Sequence, residues 1–184
     1  MTFHSSGGRR PSQHDVERFW ALVEQAWSHA SPEANEARYR LATRTSDDGV
    51  FKLMSHVDKA LTGVIEFLED HGQDLTSAGL TDLDRVVERL LFDIDRSDIQ
   101  QVTDGSDDGF LYARGFIVAL GQHYYEAVVS NPSLAVLDCD CEEMCHLFAD
   151  VHEELFGKRP DTGSGITRES CTNPAGWYIT WAAR

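Results

Sequence analysis

The 184-residue chain has no stretch that approaches the ~20 consecutive apolar residues needed to span a bilayer. Its first residues, MTFHSSGGRRPSQ, lack an apolar segment, so no secretory signal is expected there. Positive charge is also scarce: 16 Lys and Arg stand against 31 Asp and Glu, for a net charge of −15. Such a chain repels phosphate backbones and anionic lipid heads, so we expect neither nucleic acid nor membrane as a partner.

Cysteine and catalytic signatures are sparse as well. Three of the four cysteines fall within residues 139–145, which is not a distributed disulfide framework and favours reduced thiols in the cytoplasm. No Gly-x-Ser-x-Gly motif occurs, and GKRPDTGSGIT lacks the upstream glycine and the following Ser or Thr of a phosphate loop. No cofactor is therefore predicted.

What the sequence does contain is helical periodicity. Apolar residues recur at three- and four-residue spacing, which predicts a single all-α domain of about five helices over residues 14–157. Residues 1–13 are predicted to be a disordered lead. Residues 158–184 are predicted to form a tether and an extended tail, because Gly, Thr, Ser and Pro are followed by alternating Trp177, Ile179 and Trp181.

The tetrapeptide Ser-Asp-Asp-Gly occurs twice, at residues 46–49 and 106–109. Each copy precedes a periodic apolar stretch, so Ser46 and Ser106 are predicted to be helix N-caps. The aspartates that follow would meet the positive end of a helix dipole. The second copy also resembles a calcium loop, but its twelfth position is Gly115 where a bidentate Glu is needed, so calcium is not expected.

A zinc site is a weaker alternative to buried core cysteines. Cys141, Cys145 and His152 fall near one face of a predicted helix, and Cys171 on the tether would complete four ligands. Structural zinc sites normally take ligand pairs from separate elements, and cysteine is often a small buried core residue. We therefore predict core cysteines and no bound metal.

Arg114 is the most unusual charged residue, because it lies within the apolar stretch FLYARGFIVALG. A buried arginine needs a partner, and Asp107 is two helical turns away on the same face. One interpretation is an interior ion pair that fixes helix register. The other is an anion-binding or acid–base pocket, whose candidate residues are Asp107, Asp108, Arg114, Glu142, Glu143 and His152.

Several of these stretches resemble a family of bacterial proteins known only as domain of unknown function 4240. The similar segments are RFWALVEQA at 18–26, GSDDGFLYARGFIVALG at 105–121, NPSLA at 131–135 and CEEM at 141–144. The motif residues that the resemblance marks are Ser106, Asp107, Asp108, Gly109, Phe110, Tyr112, Arg114 and Gly121. The resemblance implies a helical fold and no established activity.

The chain departs from that family in the same neighbourhood. DIDRSDIQQVT stands at 93–103 in place of a Trp-rich stretch, and Ala113 replaces an aromatic residue. The resemblance therefore implies that a shared pocket near the motif would be altered here. From the sequence we predict an acidic cytoplasmic binding or regulatory module with a protein or small-molecule partner. The alternative is a small enzyme or anion-binding protein built on the Asp/Arg motif.

Overall fold

The fold is helical throughout the part of the chain that the structure covers. The computed structural model describes residues 8–103 and 106–177, and the side chains of Asp107 and Asp108 fall outside that description. In these ranges it has nine α-helices and no strand. The helices are α1 (Gln13–Ser28), α2 (Pro32–Thr43), α3 (Val50–Gln73), α4 (Ser77–Asp93), α5 (Ser97–Gln100), α6 (Asp107–Ala119), α7 (Gln122–Ser130), α8 (Glu142–Phe156) and α9 (Pro174–Trp177), with a 3-10 turn at Pro132–Leu134.

Helix α8 is central, because it packs against α3, α4 and α6. Its apolar face buries Met144, Cys145 and Phe148 completely. Helix α1 packs on α3 and α4, and its Trp27 donates an indole hydrogen bond of 2.8 Å to the carbonyl of Ala119 in α6. No helix among the described residues is long and apolar enough to cross a membrane.

The all-α class is confirmed, but the prediction of about five helices is wrong. Helix α2 was not predicted, because its buried face consists mainly of alanines and gives a weak apolar stripe. The apolar periodicity that follows the second Ser-Asp-Asp-Gly copy predicts one helix, but the structure has two, α6 and α7. They are separated because Gly121 adopts a φ of 91° between them. The short helices α5 and α9 were not predicted either.

The two Ser-Asp-Asp-Gly copies differ in structure. Ser106 is the N-cap of α6, where its side chain accepts a hydrogen bond of 3.1 Å from the Gly109 amide. Ser46 does not cap α3, which begins at Val50 after Gly49 in the left-handed region with a φ of 81°. Its hydroxyl instead accepts from the Asp48 amide inside a turn. The predicted cap at Ser46 is therefore wrong, because the turn at Gly49 moves the helix start beyond its reach.

Residues 158–177, which we call the strap, lie on the helical body rather than apart from it. The Arg168 guanidinium is ion-paired with the buried Asp84 of α4 at 2.6 Å. Glu88 accepts hydrogen bonds from the hydroxyls of Thr162 and Ser164. Trp177 lies in α9, and the rest of the predicted extended segment, from residue 178 onward, lies outside the described residues.

Candidate functional site

Arg114 is enclosed in the body and its guanidinium is held by oxygens of neutral groups. The side chain is 0% exposed. Its two Nη atoms donate to the carbonyls of Leu91 at 2.9 Å and Arg168 at 2.8 Å, and to the Ser170 hydroxyl at 3.1 Å. Burial lowers the pKa of Arg114, and the nearby Asp95 carboxylate opposes that effect.

The predicted partner of Arg114 cannot be placed. The side chains of Asp107 and Asp108 lie outside the described part of the chain. Among the side chains that are described, no carboxylate is ion-paired with Arg114, and its charge is distributed over carbonyl oxygens and the face of the Phe110 ring, whose centroid lies 4.9 Å away. The Nε and both Nη atoms of Arg114 each donate to an oxygen of the chain.

His152 does not join Arg114 in one pocket. Its Nδ1 lies 2.7 Å from the Lys158 carbonyl, which only accepts, so Nδ1 carries the hydrogen. Its Nε2 lies 2.7 Å from the Ser77 hydroxyl at the start of α4, whereas Arg114 binds Leu91 near the end of that helix. These positions are about 21 Å apart along the helix axis. Glu142 and Glu143 are exposed in the first turn of α8.

The cysteines near the start of α8 are buried thiols. Cys141 and Cys145 are 3% and 0% exposed, and burial raises the pKa of each to about 12. Cys145 contacts the Leu111 carbonyl across the α6–α8 contact. In the described ranges, no group of three or more His, Cys, Asp or Glu residues is arranged to hold a metal ion, so Cys141, Cys145 and His152 do not form a ligand set.

An open groove lies between the start of α3 and residues 133–140. Its volume is about 940 Å³, which is within the range of binding pockets. It is lined by Arg44, Asp47, Val50, Phe51, Met54, Ser55, Asp58, Val102, Phe116, Ser133, Ala135, Val136, Leu137, Asp138, Cys139 and Asp140. We call it the acidic groove.

Two large apolar side chains of the acidic groove are exposed to solvent. Phe51 is 90% exposed and Leu137 is 63% exposed, although most large apolar residues of the chain are buried. Both line the groove beside the buried Met54, Val136 and Phe116. The groove therefore offers apolar contact area to whatever enters it.

Four carboxylates line the acidic groove: Asp47, Asp58, Asp138 and Asp140. Burial raises the pKa of Asp58, and the charge of Asp140 raises it further. Burial together with Asp58 and its acidic neighbours raises the pKa of Cys139 to about 12, so this thiol stays neutral and unreactive. The groove therefore concentrates negative charge around a neutral thiol.

Among the described residues, Arg44 is the only cation that lines the acidic groove, and it is bound internally. Its Nη1 donates to the carbonyls of Leu41 and Leu134 at 2.8 Å each, and its Nη2 donates to Ser133 and Ala135. These bonds fix residues 133–135 against the end of α2 and form one wall of the groove. Its Nε lies 3.1 Å from Asp47, which leaves three carboxylates without an ion pair in the described contacts.

The acidic groove was not predicted from the sequence. Its carboxylates come from the segment before α3, from α3 itself and from the loop before α8, so no spacing in one segment indicates them. In the Asp-Cys-Asp-Cys run at 138–141, the cysteines suggest a candidate metal site, but nothing in the sequence links the two aspartates to α3. The positive φ of 56° at Asp138 is the kind of backbone feature that periodicity does not report.

Comparison with known proteins identifies the family. The sequence model of a family described as protein of unknown function (DUF4240) matches residues 15–154, which is most of the chain. The chain therefore belongs to this family. Neither a comparison with curated proteins nor one with solved structures gives a match. The family match covers the acidic groove and Arg114 and ends before the strap.

Proposed function

We propose that this DUF4240 protein is a cytoplasmic binding module whose acidic groove takes a basic segment of a partner protein. The observation that carries the proposal is the combination in one groove of unpaired carboxylates with exposed Phe51 and Leu137. Charge of one sign attracts the partner and speeds association, and apolar contact supplies affinity. The partner we propose is a Lys- or Arg-containing segment with one large apolar side chain.

The overall charge supports this type of partner. At a net charge of −15, the protein repels nucleic acid and anionic membranes and attracts basic proteins over the distance of a Debye length. The groove carries no open cation, because Arg44 is bound to carbonyls, so an anionic ligand has no counter-charge there. Both features favour a cationic partner.

The alternative, an enzyme or anion-binding protein built on Arg114, has less support. Every described hydrogen bond of the guanidinium is made to a group of the chain itself, and the side chain is not exposed. A cytoplasmic location is supported by Cys139, Cys141, Cys145 and Cys171, all of which are free thiols.

Direct binding of a model peptide tests this proposal. The probe is a fluorescein-labelled peptide with four lysines around one tryptophan, compared with the same peptide carrying glutamates in place of lysines. We expect only the lysine peptide to bind, with an affinity that falls as salt is added because screening weakens charge attraction. Equal binding of both peptides, or none of either, would contradict the proposal.

Paired variants locate the binding to the groove. Asp58→Asn combined with Asp140→Asn should weaken binding of the lysine peptide about tenfold, which corresponds to about 1.4 kcal/mol. The control is Asp70→Asn combined with Asp74→Asn, which changes the same charge at the other end of α3. If both double variants lose affinity equally, net charge rather than the groove is responsible.

A further inference from the structure

The strap is attached to the body mostly through polar contacts. Of its described residues, only Thr162 and Asn173 are buried, and both are polar. Trp177 is half-buried against the core. The strap also lies outside the range that the family model matches. A segment with this attachment adds little to the apolar core. It covers a surface of the helices that the family model matches.

Asp95, between α4 and α5, binds the main chain of the strap. Its carboxylate is 0% exposed and accepts hydrogen bonds from the amides of Cys171 at 3.0 Å, Thr172 at 2.7 Å and Asn173 at 2.9 Å. Every hydrogen bond that the described residues make to this carboxylate comes from the strap. Recognition of three successive amides does not depend on their side chains, as in other modes of peptide binding that use main-chain groups.

Arg114 provides hydrogen-bond donors to the strap, whereas Asp95 provides hydrogen-bond acceptors. Its Nη2 donates to the carbonyl of Arg168 and the hydroxyl of Ser170, while its Nη1 is bound to Leu91 in the body. The charges of Asp95 and Arg114 attract each other. The body therefore presents one acceptor and one donor to a peptide main chain.

The end of the strap adds a side-chain anchor. The Trp177 indole donates to Asp95 at 2.8 Å, and its ring meets Phe110 edge to face with centroids 6.1 Å apart. Gly176 passes so close to the body that an added Cβ would lie 2.1 Å from the Asp95 carbonyl oxygen. The surface therefore selects a glycine followed by a tryptophan.

We propose that the Asp95–Arg114 surface is a peptide-binding groove that the strap occupies in cis, and that a segment of a partner protein that contains Gly-Trp replaces it. The strap begins after Gly157, an exposed residue with a φ of 72° that ends α8. A covalently attached segment competes at an effective concentration in the millimolar range, about that of a short flexible linker. The strap therefore blocks the groove until a partner segment displaces it. This inference is independent of the acidic groove.

The test converts the attached strap into an exchangeable peptide. A site-specific protease sequence is inserted between Gly157 and Lys158 in the full chain, the folded protein is cleaved, and a labelled peptide of residues 158–184 is added. We expect the cleaved protein to keep its helical circular dichroism and to exchange its strap for the labelled peptide. The uncleaved protein should bind that peptide at least about a hundredfold more weakly, because its groove is occupied.

Variants of the labelled peptide test the contacts without a risk of unfolding the protein. Gly176→Val and Trp177→Ala peptides should each bind at least about tenfold more weakly than the natural peptide. The control peptide carries Ala175→Ser, a change at an exposed position next to Gly176. It should bind like the natural one.

Several results would overturn the inference. Loss of helical signal when the strap is removed would make the strap an integral part of the fold. Failure of the labelled peptide to exchange, or equal binding of the Gly176→Val and control peptides, would show that no selective groove exists. Dimers of the uncleaved chain with exchanged straps would make a second copy, rather than a different protein, the occupant.

Discussion

The Nη2 atom of Arg114 donates a hydrogen bond of 2.8 Å to the carbonyl oxygen of Arg168, so the motif arginine of the family body binds the main chain of the strap. The Arg168 guanidinium is ion-paired with the buried Asp84. Arg114 in α6 therefore contacts Arg168 of the strap through its backbone carbonyl, while the Arg168 side chain binds a carboxylate of α4. This contact joins α6, which lies within the range that the family model matches, to the strap, which lies outside that range.

Replacement of Arg114 should strongly destabilise the protein. Arg114→Ala leaves the carbonyls of Leu91 and Arg168 without their donors in a buried site, and each unsatisfied carbonyl should cost about 1–3 kcal/mol in the free energy of unfolding. Arg114→Lys should recover part of that loss, because one ammonium keeps the charge but cannot reproduce the planar fork of donors. Denaturant melts measure both, with Arg40→Ala on the exposed face of α2 as control. An Arg114→Ala protein as stable as the control would refute the structural role.

The two serines of the repeated tetrapeptide should behave differently. Ser106→Ala removes the cap of α6 and should cost about 1 kcal/mol. Ser46→Ala lies in a turn before α3 and should cost less than about 0.5 kcal/mol, as for other exposed sites. Urea melts of both variants provide the comparison. Equal losses would mean that Ser46 supports α3 after all.

Gly115 should tolerate no side chain. An added Cβ would lie 2.3 Å from the Cys141 carbonyl oxygen and 2.6 Å from the Cys145 sulfur, so Gly115→Ala forces α6 and α8 apart. Overpacking of this kind should cost about 1–3 kcal/mol. The matched control is Gly63→Ala in α3, where no atom lies within 4 Å of the new carbon. That variant should gain about 0.5–1 kcal/mol, because alanine favours a helix over glycine. Thermal melts distinguish the two, and a neutral Gly115→Ala would contradict the close contact of the helices.

Binding in the acidic groove should depend on pH through Asp58. Its folded pKa is raised above the ordinary 3.8 by burial and then by Asp140, so as pH falls it takes up a proton at a higher pH than an ordinary aspartate does. As pH falls, the affinity for the lysine peptide should therefore begin to decline at a pH above that at which an ordinary aspartate is protonated. Because the folded pKa is raised, ionised Asp58 opposes folding, and this group adds stability as pH falls through its folded pKa.

A titration of peptide affinity from about pH 7 to about pH 4 measures the effect. The groups that face Asp58 across the groove are Asp47, Asp138, Asp140, Cys139 and the internally bound Arg44. In Asp58→Asn, the part of the decline that is due to Asp58 should disappear. An unchanged profile in that variant would exclude Asp58 as the titrating group.

The helical class and several helix starts follow from sequence, because strong periodicity and side-chain caps are local signals. Ser12 lies at the start of α1 and caps it with Asp15 in a reciprocal pair of hydrogen bonds. Helix α4 begins at Ser77, where the side chain of Thr76 accepts a hydrogen bond from the Gly79 amide. Helix α2 remained hidden because alanines bury its inner face without a stripe of large apolar residues.

The candidate sites depended on contacts between distant segments, which periodicity does not report. The apolar stripe of α6 continues in register into α7, so the sequence does not indicate the break at Gly121. In the structure, Glu24 and Arg38 fill the space in which a side chain at this position would lie. Arg114 was recognised as buried, but its described partners are backbone carbonyls, which have no sequence signature. The acidic groove needs three separate segments to meet.

The most direct test of the central claim is to locate the lysine peptide by amide chemical-shift changes in a labelled sample of the whole protein. The account predicts that the changes cluster at residues 47–58 and 133–140, where the acidic groove lies. A second acidic surface, lined by Glu69, Glu143, Asp150 and Glu154, provides an internal comparison with similar charge. Changes centred on that surface, or spread evenly over the acidic side chains of the protein, would contradict the account.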